Sequence, residues 1–533
     1  MANDIISTKK KIKALSPSKN NNMYNSNMYW SQKPYNICDV LIEELSDKGD
    51  TIFDPFMGSG VTILEAARKK YGRNVVGCEI NEAPLFLVNT LLKEYDASTY
   101  HKAVGKFIDK LSTLRSYYNI QCETCGAQAQ VTTTLFDLQD RKGMPEIKEI
   151  NYVCPVCKRK KKTKSNLTEA DVKAMNDVYE INYIQEFKLF ENSKLAVYKD
   201  ETIDQIFTKR NYKVLDEIVG LLDEQNEYTD VFRYVLMSVL HLCKITDTHS
   251  NSQWPLWIPS KNCVEKNIID IYIKKLQKFE DTIIYLCDNY DDKKKVKLLH
   301  KGSQYITDED IADGSINLII TDPPYLGQVA YSEYMQLYKP FLELEYNLDD
   351  EIIVTSTPNR KVTEGQYFEL LNQVFAICDK KMKIGGYFCM YFHDCNLNVW
   401  NQLIRIMGDN HFKYLSQEHI KKTGTLKNII SPKKSLSGDA ILFFVKEKFK
   451  YKMCDPDESF EDIERNVIKQ IVETVKLNGP QSTPELYDGG LIEYLVYNDW
   501  LNILSKKYKT LVEIFEKCLK WNSETNKWEL REE

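Results

Sequence analysis

A doubly wound α/β sheet, interrupted by a long insert and followed by a helical tail, is the fold this sequence predicts, and three observations predict it. Residues 51–80 read strand, tight turn, helix, strand, the opening of such a sheet. Strand-like apolar runs resume only at Val296–His300 and Ile316–Ile320. Between them the chain carries helical apolar periods and two Cys-x-x-Cys pairs.

Residues 1–27 are polar, with Lys9-Lys10-Lys11 and Asn20-Asn21-Asn22, and read as a flexible N-terminal arm. Order is expected from Met28-Tyr29-Trp30. Ile37, Val40, Leu41 and Leu45 recur at helical spacing, and Gly49-Asp50 closes that helix. Thr51-Ile52-Phe53 is a short strand entering Asp54-Pro55-Phe56-Met57-Gly58-Ser59-Gly60. A helix from Val61 and a strand from Asn74 to Ile80 follow. Residues 97–118 look helical, 119–165 hold the paired cysteines, and 168–290 return to helical periods such as Leu215, Ile218, Leu221 and Leu222. Later strands are expected at Gly386–His393, Lys413–Ile420 and Asp439–Lys446, the last two spaced as a closing antiparallel pair. Residues 450–533 read as mostly helical. The expected division is therefore an arm (1–27), a discontinuous α/β domain (28–96 and 294–446), an insert (97–293) and a C-terminal helical region (447–533). No repeat of 20 to 50 residues appears.

With 43% hydrophobic and 28% charged residues, and only 21 Gly and 16 Pro in 533, the chain has material for a core and is neither disordered nor fibrous. The net charge of −6 excludes a uniformly basic nucleic-acid coat but permits a local basic surface. Runs such as Val235–Leu240 and Ala440–Val445 are far too short to span a bilayer, and no secretory signal opens the chain. A cytoplasmic address is expected, with no membrane partner, and the 14 cysteines are not expected to form a disulfide scaffold.

Three motifs carry chemistry. In Asp54–Gly60 the glycines allow a tight turn and close ligand approach, and Glu79 ends the next strand 21 residues past Gly58, where a carboxylate can accept from two ribose hydroxyls. The competing reading is an ordinary βα turn with a solvent-facing Glu79. The second is Thr321-Asp322-Pro323-Pro324-Tyr325, directly after an apolar strand. Two prolines remove two amide donors and leave carbonyls free to accept, Asp322 adds an acceptor, and Tyr325 a flat ring. An exocyclic amine on a nucleobase needs two acceptors and a surface to stack on; a rigid strand-end turn with a packed tyrosine is the alternative.

The third motif is Cys122-x-x-Cys125 and Cys154-x-x-Cys157, 28 residues apart, a gap suited to a β-hairpin. Four thiolates make a closed tetrahedral site, so structural Zn2+ is expected; two buried reduced pairs, a redox pair and an iron–sulfur cluster are the alternatives. Directly after it come Lys158, Arg159, Lys160, Lys161, Lys162 and Lys164, six cations that could follow a phosphate backbone or form a solvated loop. The loop His249–Trp257, whose two tryptophans are more often packing, the residues Gln328, Tyr331 and Tyr334, equally read as core or surface helix, and the loop Thr423–Gly438 with Lys427, Lys433 and Lys434 are weaker substrate or DNA candidates.

Together these residues resemble the amino-group, N6-adenine-type DNA methyltransferases that use S-adenosylmethionine, and among them the adenine-specific DNA methylases with a zinc ribbon. The glycine loop matches Asp54, Pro55, Phe56, Gly58, Ser59 and Gly60; the acidic ribose binder matches Glu79; the catalytic tetrapeptide matches Asp322, Pro323, Pro324 and Tyr325. Trp30-Ser31-Gln32-Lys33-Pro34 looks like the segment flanking the methionine end of the cofactor. His300-Lys301-Gly302-Ser303 resembles the turn near the adenine ring, although many relatives are acidic where Ser303 stands.

The resemblance implies a Rossmann-like class I methyltransferase sheet with an inserted zinc-ribbon and helical module. It also implies methylation of adenine N6 in a flipped-out base of double-stranded DNA. The insert would be the target-recognition region. The setting would be restriction–modification or phage defence, with any cleaving subunit separate, since no nuclease or ATPase motif is present. Asp at position 322 tilts the target toward adenine N6 over cytosine N4. The rivals are an RNA guanine-N2 methyltransferase, for which the segment before Trp30 is too short to hold the usual RNA-binding domain, and a non-catalytic DNA-binding adaptor, against which the intact tetrapeptide and Glu79 argue.

Overall fold

The computed structural model describes residues 2–139, 145–223, 226–248, 254–290, 295–326, 329–357, 360–420, 432–434, 436, 438–451, 454 and 457–531. The chain opens with helices α1 (Ala2–Ala14) and α2 (Tyr35–Leu45), then β1 (Thr51–Asp54), α3 (Val61–Ala66), β2 (Asn74–Glu79) and α4 (Glu82–Leu91). The insert contributes α5 (Ala97–Thr113), β3 (Asn119–Gln121), β4 (Gln128–Asp137), β5 (Glu146–Cys154), β6 (Lys158–Thr163), α6 (Glu169–Asn176), α7 (Lys209–Leu222), α8 (Thr229–Cys243), β7 (Thr246–Asp247), β8 (Cys263–Lys266) and α9 (Ile268–Asn289). The sheet then resumes with β9 (Val296–His300) and β10 (Ile316–Thr321). A small hairpin of β11 (Thr355–Thr357) and β12 (Arg360–Val362) precedes β13 (Met382–Phe392), β14 (Phe412–His419) and β15 (Ala440–Lys446). The C-terminal region holds the helix Phe460–Asn478, shorter helices and a hairpin, β16 (Leu519–Asn522) and β17 (Lys527–Leu530).

Seven strands form the main sheet in the order β14-β15-β13-β10-β1-β2-β9. β9, β2, β1, β10 and β13 are parallel, and β15 closes antiparallel between β13 and β14, as the spacing of the last two strands foretold. Strand order reverses at β1, which pairs with β2 on one side and β10 on the other. In open α/β sheets ligands bind outside the carboxyl ends at such a switch point.

Side-chain alternation assigns each face a core. Ile52, Leu318, Ile320, Cys389, Tyr391, Ile441 and Phe443 face the N-terminal helices and the insert. Phe53, Ile319, Phe388, Met390, Leu442 and Phe444 face a core shared by the helices Glu364–Lys381 and Leu397–Asp409 and the C-terminal region. Both faces are covered, which is why these strands read as continuous apolar runs. The helices Glu364–Lys381 and Leu397–Asp409 and the C-terminal residues together cover this second face, and the chain ends in the β16–β17 hairpin, whose Trp521 and Trp528 rings meet edge to face at 5.1 Å.

Three expectations need correction. The segment expected as a flexible arm packs on the body: α1 buries Ile5 and Ile12, and Met23 and Tyr24 are buried as well. Ile5 and Ile12 lie seven apart, two turns on one helix face, a stripe hidden by the surrounding lysines. Tyr24 donates its hydroxyl hydrogen to Glu65 at 2.8 Å, tying the segment to α3. Second, the cysteine-bearing hairpin does not stop at residue 165, since β8 pairs with β4 and β7 with β8, completing a six-stranded sheet. Third, Lys162 is not a surface cation: it is 4% exposed and paired with Asp171 at 2.8 Å.

No described helix is long and apolar enough to cross a membrane.

Candidate functional site

The carboxyl ends of β1 and β10 lie side by side, with Ile52 opposite Leu318 and Phe53 opposite Ile319. The turns leaving them therefore open onto one cleft, lined by Asp54–Ser59 from the first and Asp322–Tyr325 from the second, together with Tyr29–Lys33, Glu79 and Ser303. Gly58 and Gly60 take φ of +48° and +75°, the left-handed region where a side chain is strained, so the sharp exit from β1 depends on them.

Asp54 is buried and accepts from the Thr321 hydroxyl at 2.7 Å and the Phe56 N–H at 3.1 Å. Burial pushes its carboxyl up to about 7, against the pull of those hydrogen bonds. Glu79 is not the solvent-facing residue of the competing reading: one oxygen accepts from Gly58 N–H at 3.0 Å, the other from the N–H groups of Ile80 and Asn81, both at 3.0 Å. Desolvation raises it to about 7, with the backbone donors opposing. Its carboxylate faces the cleft with lone pairs in reserve for hydroxyl donors.

At the other end, Tyr325 donates to Asp322 Oδ1 at 2.6 Å, and Lys33 pairs with Asp322 Oδ2 at 2.9 Å. Burial raises the Asp322 carboxyl, while the Lys33 ammonium pulls it down. Tyr367 donates to the Pro324 carbonyl at 2.7 Å and so braces the double-proline turn. The Pro323 carbonyl receives no hydrogen bond among the described residues, leaving one acceptor open beside Asp322. Pro34 precedes α2 as its N-cap, which presents Lys33 to the tetrapeptide. Trp30 packs edge to face on Tyr334 at 4.9 Å, and Tyr29 stacks on Tyr331 at 6.1 Å. Ser303 gives its hydroxyl hydrogen to the Pro55 carbonyl.

Several lining residues carry no sequence signal: Gln304, Asp350, Glu351 and Tyr391 reach the cleft only through tertiary packing. Asp439, one residue before β15, stands behind the lining and accepts from Lys33 at 3.0 Å.

The four paired cysteines converge, with all Sγ atoms within 4.8 Å of one another. Gly126, at φ +71°, donates to the Cys122 carbonyl at 2.8 Å and closes the first knuckle. The β4–β5 hairpin spans the gap between the pairs. Burial opposes thiolate at Cys122, but the N–H groups of Cys125 and Thr124 and the Tyr152 hydroxyl outweigh it and lower the thiol. Contacts with Cys125 and Cys122 raise Cys157. Such mutual repulsion is what a bound dication relieves.

Of the basic run, Lys161 pairs with Glu149 at 3.0 Å and Lys164 with Glu146. Lys158, Arg159 and Lys160 are exposed on β6, an edge strand, without an ion pair among the described residues. Residues 249–253, Gln328, Thr423 to Thr425 and Lys427 lie outside the described residues. Lys433 pairs with Glu516 at 2.6 Å.

Comparison with known proteins gives three findings. The N6/N4 DNA methylase family model matches residues 7–87 and 316–529, more than half of the chain. A type II methyltransferase of Moraxella bovis, M1.MboII, is 36% identical over 64 residues, which is 12% of this chain and 24% of that protein. A solved chain from Thermus thermophilus, described as a candidate DNA modification methylase, is 13% identical with a TM-score of 0.15, over 30% of this chain and 57% of its own.

Proposed function

The chain belongs to the DNA methylase family, and from that membership we propose that it transfers a methyl group from S-adenosylmethionine to an exocyclic amino nitrogen of a DNA base, N6 of adenine. One observation carries the reading: the glycine turn of β1 and the double-proline turn of β10 border a single cleft.

The residues there fit such a cofactor. Glu79 offers a carboxylate to ribose hydroxyls beside a glycine turn that admits close backbone approach, and Ser303 and Gln304 border the same space. S-adenosylmethionine supplies an activated methyl group when bound, so no covalent protein intermediate is required. The chain's own contribution is positioning. Asp322 and the open Pro323 carbonyl accept the two amine hydrogens and aim the nitrogen lone pair into the cleft. Tyr325 offers its ring to the extruded base, and Tyr367 keeps the turn rigid. Aspartate at position 322 favours adenine over cytosine N4 in this reading.

Four converging sulfurs support structural zinc at Cys122, Cys125, Cys154 and Cys157. Lys158, Arg159 and Lys160 on the β6 edge are the proposed phosphate contacts, with double-stranded DNA as partner and a separate restriction or defence subunit in the same system.

Methylation-sensitive sequencing of DNA from cells expressing the chain tests the reading. N6-methyladenine at a defined site is expected, and its loss with Asp322→Ala, while cofactor binding is retained. Modified cytosine N4 would reassign the target base, methyl transfer to RNA but not duplex DNA would reassign the substrate, and DNA binding without transfer to any sequence would favour the adaptor.

A further inference from the structure

A second cavity, of about 340 Å3, lies between the insert and the segment that follows the tetrapeptide. Lys194, Leu195, Trp254, Pro255 and Trp257 border it from the insert, and Tyr334 from the short helix Tyr331–Tyr334. Its size falls in the ~300–1,000 Å3 range of small-ligand pockets, and its lining is mostly apolar and aromatic, as in such pockets. The walls are fixed by buried polar bonds. Asn192, 3% exposed, donates from Nδ2 to Glu333, and its Oδ1 accepts from the Lys194 N–H at 2.9 Å, so one amide ties the insert wall to the residue before Tyr334. The Phe190 N–H donates to Gln336, and Arg360 pairs with Glu333 at 3.4 Å. On the loop that carries the tryptophans, Leu256 and Ile258 are buried in the core and Lys244 donates to the Trp257 carbonyl. Trp254 nevertheless stands 59% exposed, the only exposed one of the seven tryptophans. A pinned loop that leaves so large a ring in water forgoes its burial energy, which points to a ligand rather than to packing.

The cavity and the cleft meet at one pair of rings: Trp30 borders the cleft, Tyr334 borders the cavity, and the two pack edge to face at 4.9 Å. A strand that delivers one base to the cleft therefore has its next nucleotides within reach of the cavity. Extruding a base also breaks its stacking on both neighbours, so a neighbouring base is left with a bare face. Indole and phenol rings cover such a face whatever its identity, because every base has one. Lys194, exposed and without an ion pair among the described residues, stands at the rim as a partner for a phosphate. Aromatic faces beside a cation are what single-stranded nucleic acid binds. We propose that this cavity takes a second unpaired nucleobase of the DNA, distinct from the one in the cleft, stacked on Trp254 and Trp257. The inference rests on the reading that the substrate is DNA with its target base extruded.

The test is equilibrium binding of the full chain, at one salt concentration, to a thymidylate decamer and to a decamer with the same phosphates and tetrahydrofuran in place of every base. Both carry the same charge, so their affinity ratio isolates base stacking from phosphate attraction. Thymine has no exocyclic amine, so it offers nothing to the acceptors at Asp322, and every register of the decamer is equivalent. Wild type is expected to favour the thymidylate decamer. Trp254→Ala should cut that preference by about tenfold, the order of effect of one stacked base. Trp254→Phe should keep most of the preference but lose most of the tryptophan quenching that wild type shows on binding, which assigns the contact to that ring. The loss with Trp254→Ala should persist in a Tyr325→Ala background, where the cleft has lost its own stacking ring. An unchanged preference in Trp254→Ala overturns the proposal. So does a loss that vanishes without Tyr325, which would move the base into the cleft, or a wild type that binds duplex DNA yet does not distinguish the two decamers. Failure of wild type to bind duplex DNA or either decamer would instead overturn the DNA reading itself.

Discussion

Thr321 donates its hydroxyl hydrogen to Asp54 at 2.7 Å, a bond between residues 267 apart in sequence that pins the end of β10 to the end of β1. Both side chains are buried, so the bond holds the two functional turns in one register and satisfies a carboxyl that water cannot reach. Replacing Thr321 by Val keeps the shape and removes the donor. Stability should fall by about 1–3 kcal/mol, the cost of an orphaned buried acceptor, and S-adenosylmethionine should bind more weakly. Urea melts and calorimetric binding on the same preparation measure both.

Glu79 gives the protein a pH signature. Its folded carboxyl lies at about 7 against an ordinary 4.5, because desolvation outweighs its backbone donors. Between those values the folded state holds a proton that the unfolded state has released. Stability should therefore fall as pH rises across that window, by at most about 1.4 kcal/mol per pH unit from this group, and level off above about pH 7. Asp54 and Glu65, both raised to about 7, act in the same direction. Glu79→Gln should flatten the slope by one group's share; an unaltered pH profile of urea stability would disprove the assignment.

Metal analysis decides the cysteine cluster. One zinc per chain is expected, and Cys154→Ser should lose it. Zinc sites contribute on the order of 10–16 kcal/mol to small modules, so chelation should expose β4, β5 and β6 to hydrogen exchange. The seven-stranded sheet, one face of which packs on a core with no residue from the insert, should stay protected. Parent protein without metal would end the idea.

Salt dependence of DNA binding addresses β6. Replacing Lys158, Arg159 and Lys160 together by Ala should reduce the slope of log K against log salt by about 3, weakening all sequences alike. Lys162→Ala should instead destabilise the fold, since it strips the partner from Asp171 in a buried pair. Equal slopes for the triple variant and wild type would remove β6 from the DNA interface.

Ile12→Ala tests the docked N-terminus. Ile12 is 3% exposed in the core that α1 shares with α2, so about 2–5 kcal/mol should be lost. A loss near zero would mean the helix is not docked in solution.

What the chain reveals before folding is what short-range rules govern. The strand–turn–helix at 51–66 and the strand entering Asp322-Pro323-Pro324-Tyr325 are legible because glycine, proline and apolar runs act on their immediate neighbours. The cysteine pairs are legible because two-residue spacing already sets a knuckle. The composition of residues 1–27 misled, because two isoleucines on one helix face weigh little in a composition, and the partners of Ser7, Lys9 and Lys11 lie far along the chain. The basic run misled at Lys162 because charge in a sequence does not say which cation meets an acid in the interior. The sharing of Lys33 between Asp322 and Asp439 is settled by long-range assembly alone. That meeting requires β15 to insert antiparallel beside β13, bringing a residue 406 positions from Lys33 to the same strand ends, and no local preference encodes a contact made by sheet order.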